Sequence, residues 1–184
     1  MNNAVNLGIG NTSTSDATGM FYTADANTAI PTDVASLATT ATWTEVGFIS
    51  QDGITLNTGL SDEALKDWSQ TIRRVLPSQD NASIAAPIIS TTAQVFKTLF
   101  GASAVTSETD ALVSVHVDKG ARSDKKCFVF VMKDGDNAII IGGDGVITSV
   151  SDVNFAPTEA ITWNATIELD SWTLNKTYTA PTGG

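Results

Sequence analysis

Residues 161–170 alternate between apolar and polar side chains at every position. In an extended chain the apolar residues would share one face and the polar residues the other: Ile161, Trp163, Ala165, Ile167 and Leu169 against Thr162, Asn164, Thr166, Glu168 and Asp170. A period of two fits a β-strand that buries one face and exposes the other to water. Val113, Val115 and Val117 alternate with polar neighbours in the same way. These segments predict a mainly β protein.

The rest of the chain adds further strand and turn signals. Phe128–Met132 is apolar on both faces, which predicts a central strand. Asp134–Asn137 predicts a turn, Ala138–Ile141 the returning strand and Gly142–Gly145 a second turn, because Asp, Asn and Gly favour tight turns. Met20–Thr23 fits a short strand near the start. We therefore expect strands joined by tight turns.

One helix is predicted at Thr91–Phe100. Its apolar side chains recur at helical spacing, and Gly101 follows as a stop signal. The amphipathic pattern indicates that this helix packs on the sheet.

The segment Ser61–Pro77 is ambiguous on pattern alone. Acidic residues in its first turn favour a helix start. Its apolar residues fit a helical stripe or a strand face, namely Leu65, Trp68, Ile72 and Val75 for the helix, or Trp68, Ile72 and Leu76 for the strand.

The surface of this chain carries little charge, and most of that charge is negative. Charged residues make up 16% of the chain, against about 25% in typical soluble domains. The net charge is -10, and no Lys or Arg precedes Lys66. Proteins that hold nucleic acid tightly are usually basic, so we do not expect tight DNA binding. A weakly charged surface gives little electrostatic repulsion between copies, which favours a protein that binds specific partners.

The opening residues Met1–Asn6 have neither the basic nor the apolar region of a signal peptide. No apolar run approaches the roughly 18 residues of a membrane span. We therefore expect synthesis in a cytoplasm and no membrane insertion.

Residues suited to catalysis or metal binding are scarce. His116 is the only histidine and Cys127 the only cysteine, which excludes a structural zinc site and an intrachain disulfide. Ser114 lies near His116, but no G-x-S-x-G motif accompanies it. Asp134–Asn137 with Asp144 lacks the spacing and the closing Glu of a calcium loop. We predict no catalytic residue, no cofactor and no metal.

Positive charge is concentrated in one segment, residues 119–126, which we call the basic loop. It holds four of the ten basic residues of the chain: Lys119, Arg122, Lys125 and Lys126. The segment has no interleaved aromatic residues on which bases could stack, which counts against a nucleic-acid contact. A contact with an acidic surface on another copy is the favoured interpretation, and a merely solvated loop is the alternative.

The order of these features resembles a known family. Thr42–Ile54 resembles the W-x-x-x-G-x-I-x-x-D-G-I opening of the tail tube proteins of long-tailed (siphovirus-type) bacteriophages. Lys66–Trp68 with Thr71–Val75 is similar to the long inserted hairpin of that family. The segment from Gln94 to Gly101 resembles its E-V-L-x-x-x-x-G helix, with Gln94 in place of the acid.

Two further segments extend the resemblance, the hairpin Lys126–Ile141 and the closing strand Ala160–Asp170, so that it covers roughly residues 42–170. It implies a β-sandwich or barrel with one packed helix and a long inserted hairpin. It also implies that the region around Trp68 is extended, and we predict strand there.

The resemblance implies a structural virion protein, not an enzyme. Hexameric rings would stack into a tube that conducts the genome into the host cell, with double-stranded DNA passing transiently and without sequence preference. A tape measure protein and tail terminator and tip proteins would be its partners. The candidate interface between subunits or rings combines the basic loop with the hairpin, namely Lys119, Arg122, Lys125, Lys126, Trp68, Ile72, Arg73 and Arg74.

The predicted layout has an N-terminal arm at 1–41, a tail-tube β-sandwich domain at 42–170 and a C-terminal arm at 171–184. Within the domain, the hairpin insertion covers about 56–90 and the helix about 91–100. An uncharged, Thr-rich β-sandwich also describes a secreted carbohydrate-binding or adhesin module, which is the alternative function. A β-sandwich enzyme ranks third, because the acid–base residues it would need are missing.

Overall fold

The computed structural model of the chain describes residues 19–39, 41–66, 68, 72–79, 81–109, 112–134, 137–151, 153, 155 and 161–177. The remainder of both predicted arms, residues 1–18, 40 and 178–184, lies outside this range, as do residues 135 and 136 of the first predicted turn. The strands are β1 Met20–Asp25, β2 Thr44–Phe48, β3 Thr55–Asn57, β4 Leu60–Lys66, β5 Ile72–Gln79, β6 Ala82–Ile88, β7 Val105–Thr109, β8 Leu112–Val115, β9 Lys126–Asp134, β10 Asn137–Ser151, β11 Trp163–Leu169 and β12 Thr173–Thr177. The helices are α1 Val34–Thr39, α2 Ala93–Phe100 and a short 3-10 turn Ala102–Ala104.

The main sheet is antiparallel and curls into a barrel. Its strand order is β2-β1-β9-β10-β11-β6-β3, and β12 pairs with β10. The barrel closes where the end of β2 meets β6. There Ile49 bridges Ile88, and the amide of Ile89 donates to the carbonyl of Phe48 at 3.0 Å. The predicted β-sandwich or barrel with a packed helix is confirmed.

Strand β10 differs from its prediction. Gly142–Gly145 does not form a turn but lies inside a continuous strand of 15 residues. A Cβ on Gly142 would lie 2.2 Å from the carbonyl oxygen of Phe128, and one on Gly143 would lie 1.9 Å from that of Ser171. These glycines are needed because the backbone of β10 passes very close to its neighbours. A glycine run that looks like a turn is here a site of close approach.

The inside of the barrel is the larger core. Phe21 and Phe130 stack there with ring centroids 4.7 Å apart. Helix α2 adds Val95 and Leu99 to this core, so the predicted helix and its packing are confirmed. Thr92 caps its start, since the Thr92 hydroxyl accepts from the amide of Val95 at 3.3 Å.

A second core lies outside the barrel, over β1, β9 and the first part of β10. Leu37 of α1 packs there on Met20, Tyr22, Val129, Val131 and Ile140. The sequence did not predict α1, which has six residues; Asp33 caps its start, since the Asp33 carboxylate accepts from the amide of Ser36 at 2.9 Å. Strand β1 comes from the predicted N-terminal arm and β12 from the predicted C-terminal arm, so these parts of both ranges belong to the sheet. Strand β1 belongs to the sheet because both of its faces are buried, one in each core.

Two hairpins form separate two-stranded sheets, β4–β5 and β7–β8. Strands β4 and β5 confirm the extended prediction for the region around Trp68. The separate hairpin is shorter than the predicted insertion at 56–90, because β3 and β6 pair within the main sheet. Strand β8 is confirmed, but its valines are only half-buried and Leu112 is 59% exposed. The valine face is therefore not a core face within this chain. Among the residues that the structure describes, no helix is long and apolar enough to cross a membrane.

Candidate functional surfaces

Of the residues considered for catalysis, Ser114 lies on β8, His116 just after it and Cys127 on β9. His116 is exposed, and its Nε2 lies 3.3 Å from Oδ1 of Asp118. Cys127 is buried, and burial together with the nearby Asp144 carboxylate raises the pKa of its thiol to about 12. A thiol in that state is a poor nucleophile at neutral pH. Within the described ranges, no group of three or more His, Cys, Asp or Glu residues could hold a metal ion.

The basic loop uses two of its four cations in contacts within the chain. Lys126 Nζ donates to Asp25 at 2.8 Å, and this contact lowers the pKa of the Asp25 carboxyl. Lys125 pairs with Asp170 at the end of β11, and the hydrogen bond to Asp170 raises the pKa of Lys125. These two ion pairs attach the C-terminal end of the basic loop to the barrel.

Lys119 and Arg122 lie further out on the same loop. Both residues are exposed. Within the described part of the chain, Arg122 donates only to the neighbouring carbonyl of Ala121, at 3.3 Å. No carboxylate of the described residues forms an ion pair with either cation. These two residues are the cations of the loop that can pair with another molecule.

The hairpin residues predicted for the interface lie on a different element. Trp68 is fully exposed between β4 and β5. Ile72, Arg73 and Arg74 lie on β5, where Ile72 pairs with Lys66 and Arg74 with Leu65. The predicted interface residues therefore fall on two elements, the hairpin and the basic loop.

Other exposed hydrophobic residues were not singled out by the sequence. Leu112 and Val117 are exposed on and just after β8, Leu174 on β12, and Phe155 near Trp163. Phe155 is 70% exposed, and its ring meets Trp163 edge-on at 6.2 Å. The indole nitrogen of Trp163 is buried and has no hydrogen-bond partner among the residues that the structure describes. Single exposed hydrophobic residues are ordinary, but large ones on projecting elements favour contact with a partner.

The outer surface of the barrel also contains an extended polar sheet face, which we call the open face. It belongs to β3, β6, β11 and the second half of β10, whose inward residues fill the larger core. Its outward residues are Thr55, Asn57, Ser83, Ala85, Pro87, Val146, Thr148, Ser149, Ser151, Asn164, Thr166 and Glu168. All of them are exposed or half-buried.

The strand register makes the open face continuous. Ala85 pairs with Thr55 on one side and Thr166 on the other, and Thr166 pairs in turn with Ser149. Glu168 pairs with Ser83 and is the one charged residue of this face. The face therefore carries hydroxyl, amide and small apolar groups, a single carboxylate and no cation.

The chain is similar to a known protein family. A family model described as phage tail tube protein matches residues 11–170 of the chain. No individual curated protein matches it.

Proposed function

The chain belongs to the phage tail tube protein family, and from this we infer that it assembles as stacked hexameric rings forming the conduit through which the genome enters the host cell. The observation that carries this proposal is the family match over residues 11–170. The match also favours a structural virion protein over the carbohydrate-binding, adhesin or enzyme alternatives. As a tail component, the subunit is expected to be made in the host cytoplasm and to meet a tape measure protein and terminator and tip proteins.

The hairpin β4–β5 is the first proposed contact between subunits. Trp68 is fully exposed there, and an exposed tryptophan costs solvation free energy that burial in a partner recovers. Tryptophan and arginine are also the residues that most often dominate binding energy at interfaces. Trp68 with Ile72, Arg73 and Arg74 therefore suits a hairpin that docks on the next subunit.

The basic loop is the second proposed contact. Its two outer cations, Lys119 and Arg122, would face carboxylates of the stretch before Lys66, which holds acids and no bases. Exposed ion pairs are individually weak. Their repetition around a ring would still help, because charge complementarity sets register and disfavours wrong docking. Lys125 and Lys126 would hold the loop in position for this contact.

The charge of the chain suits a conduit. A net charge of -10 leaves few cations to displace counterions from DNA phosphates, so DNA would pass without being held. At physiological salt the Debye length is about 8 Å, so carboxylates on the bore would repel DNA that comes close to the wall.

Assembly is tested by size-exclusion chromatography with light scattering at rising protein concentration, followed by negative-stain microscopy. We expect a shift from monomer to rings and then to hollow tubes. A chain that stays monomeric at every concentration, and that is monomeric in extracts of virions, would contradict the proposal.

The contact at the basic loop is tested with two matched double variants. Lys119→Ser with Arg122→Ser removes the outer cations, and Lys125→Ser with Lys126→Ser removes the cations already paired within the chain. The first should fold normally, form fewer and shorter tubes, and make assembly less sensitive to salt. The second should loosen the loop, visible as faster hydrogen exchange there in the monomer. Unchanged assembly and salt response in the first variant would leave the loop as a solvated surface.

A further inference from the structure

We propose that the open face lines the bore of the tube and is the surface over which DNA passes, with Glu168 as its single charge. This inference rests on the proposed tube and adds the surface that meets the nucleic acid. Three features of the face support it: what covers it, what it is made of, and where its strands lead.

The open face differs from the outer surface over β1 and β9 in having no cover among the described residues. Over β1 and β9 the outer surface is apolar and is closed by Leu37 and its neighbours. Over β6 and β11 the outward positions are exposed or half-buried and mostly polar, as in an antiparallel sheet with one wet face. Within the described residues, the open face is therefore in contact with water.

Its composition disfavours burial against another subunit. Interface cores are rich in aromatic residues, Met and Arg. The open face has none of these, and its largest apolar residues are Val146 and Pro87. The large exposed hydrophobic residues of the described chain lie elsewhere, on or beside the two hairpins, on β12 and at Phe155.

Its charge also disfavours the outer wall of the tube. The open face has Glu168 alone, whereas exposed loops such as residues 118–126 are densely charged. A face with no cation releases no counterions from phosphate and has no aromatic side chain on which a base could stack. Such a surface suits a DNA duplex that must move past it.

The chain path gives the third argument. Strand β3 leads into β4, and β5 leads back into β6, so the hairpin extends from two of the four strands that carry the open face. A neighbour bound by the hairpin would adjoin the same face. The open faces of successive subunits would then form one surface around the bore, with a ring of Glu168 carboxylates at one level.

Cysteine accessibility tests this arrangement on assembled tubes. Thr166→Cys places a thiol near the middle of the open face, and Ser103→Cys, in the exposed 3-10 turn after α2, is the matched control. Ser83→Cys, also on the face, serves if Thr166→Cys does not fold. The native Cys127 contributes little background because it is buried and its thiol has a pKa of about 12. Each variant reacts with N-ethylmaleimide and with a maleimide attached to a globular protein too large to enter the bore.

In monomers, both reagents should label both positions. In tubes, the thiol introduced by Thr166→Cys should still react with the small reagent, while its reaction with the bulky reagent falls to the level of the unsubstituted chain. Loss of both reactions would mean that the face packs on another subunit, and retention of both would place it on the outer wall. Either result overturns the inference while the proposed function stands. If the unsubstituted chain forms no tubes, the proposed function fails first and this inference fails with it.

A charge reversal provides an independent measurement. Glu168→Lys tubes should retain short duplex DNA that is protected from nuclease, and the retention should weaken as salt rises. Asp118→Lys makes the same change in the exposed segment after β8, outside the acidic stretch proposed to meet the basic loop, and should give no protected DNA. Protected DNA in both variants, or in neither, would contradict a bore lined by Glu168.

Discussion

The two halves of the barrel differ in how their outer surfaces are covered. In the half made of β2, β1, β9 and the start of β10, which we call the covered half, β1 and β9 are apolar on both sides, and the segment around α1 closes the outer surface. In the other half, β11 and β6 are apolar only toward the core, and the outer surface is the open face. Both halves share one inner core, so the difference lies entirely outside the barrel. We infer that the covered half mainly stabilises the fold and that the open face is available for contact with another molecule.

The largest expected effect is in the covered half. Phe130→Ala removes a ring that is 1% exposed and stacks on Phe21. We expect a loss of about 3–5 kcal/mol in the free energy of unfolding, the usual cost of such a truncation. Urea denaturation of the monomer measures it. A loss within experimental error would show that this core is not tightly packed.

The next effect tests the outer cover itself. Leu37→Ala removes the side chain of α1 that packs on the outer face of β1 and β9, and we expect a loss of about 2–5 kcal/mol. Hydrogen exchange should rise in residues 30–43 before it rises in α2. Equal increases in both places would mean that the cover and the barrel open as one unit.

A moderate effect is expected where β10 passes from one half to the other. Gly143→Ala would place a methyl group 1.9 Å from the carbonyl oxygen of Ser171, so the backbone would have to shift. We expect about 1–3 kcal/mol of destabilisation, as for other overpacked sites. Unchanged stability in thermal and urea unfolding would mean that residues 171–172 move away freely.

The smallest effect is expected on the open face. Thr166→Val should change monomer stability by no more than about 0.5 kcal/mol, because the side chain points outward from the sheet. Its neighbour Ile167 points into the core, and Ile167→Thr should destabilise the monomer far more. A large effect of Thr166→Val in the monomer would remove the distinction between the two halves.

The elements with a regular period could be predicted from the sequence. The alternation in β11 and the helical spacing in α2 reflect burial against one core, which is a local property of the residues. The strand at 142–145 could not be predicted, because Gly142 and Gly143 are required by neighbours distant in sequence, not by a turn. Helix α1 is short and weakly patterned; Asp33 caps its start, but its position depends on the apolar outer face of β1 and β9.

The functional surfaces were predictable only in part. The basic loop was visible as a charge cluster, but its division into two inner and two outer cations depends on Asp25 and Asp170. The outward residues of β11 were visible from the alternation, whereas their joining with β3, β6 and β10 depends on the strand register. Which molecule contacts the open face depends on the assembly, and no local pattern in the sequence of one chain predicts it.

A cryo-electron microscopy reconstruction of the assembled tube tests the central claim most directly. The account predicts rings of six subunits, with Thr166 and Glu168 facing the bore, α1 directed away from it, and Trp68 buried against a neighbouring subunit. A tube in which the open face packs against another subunit or faces the outer solvent would contradict it.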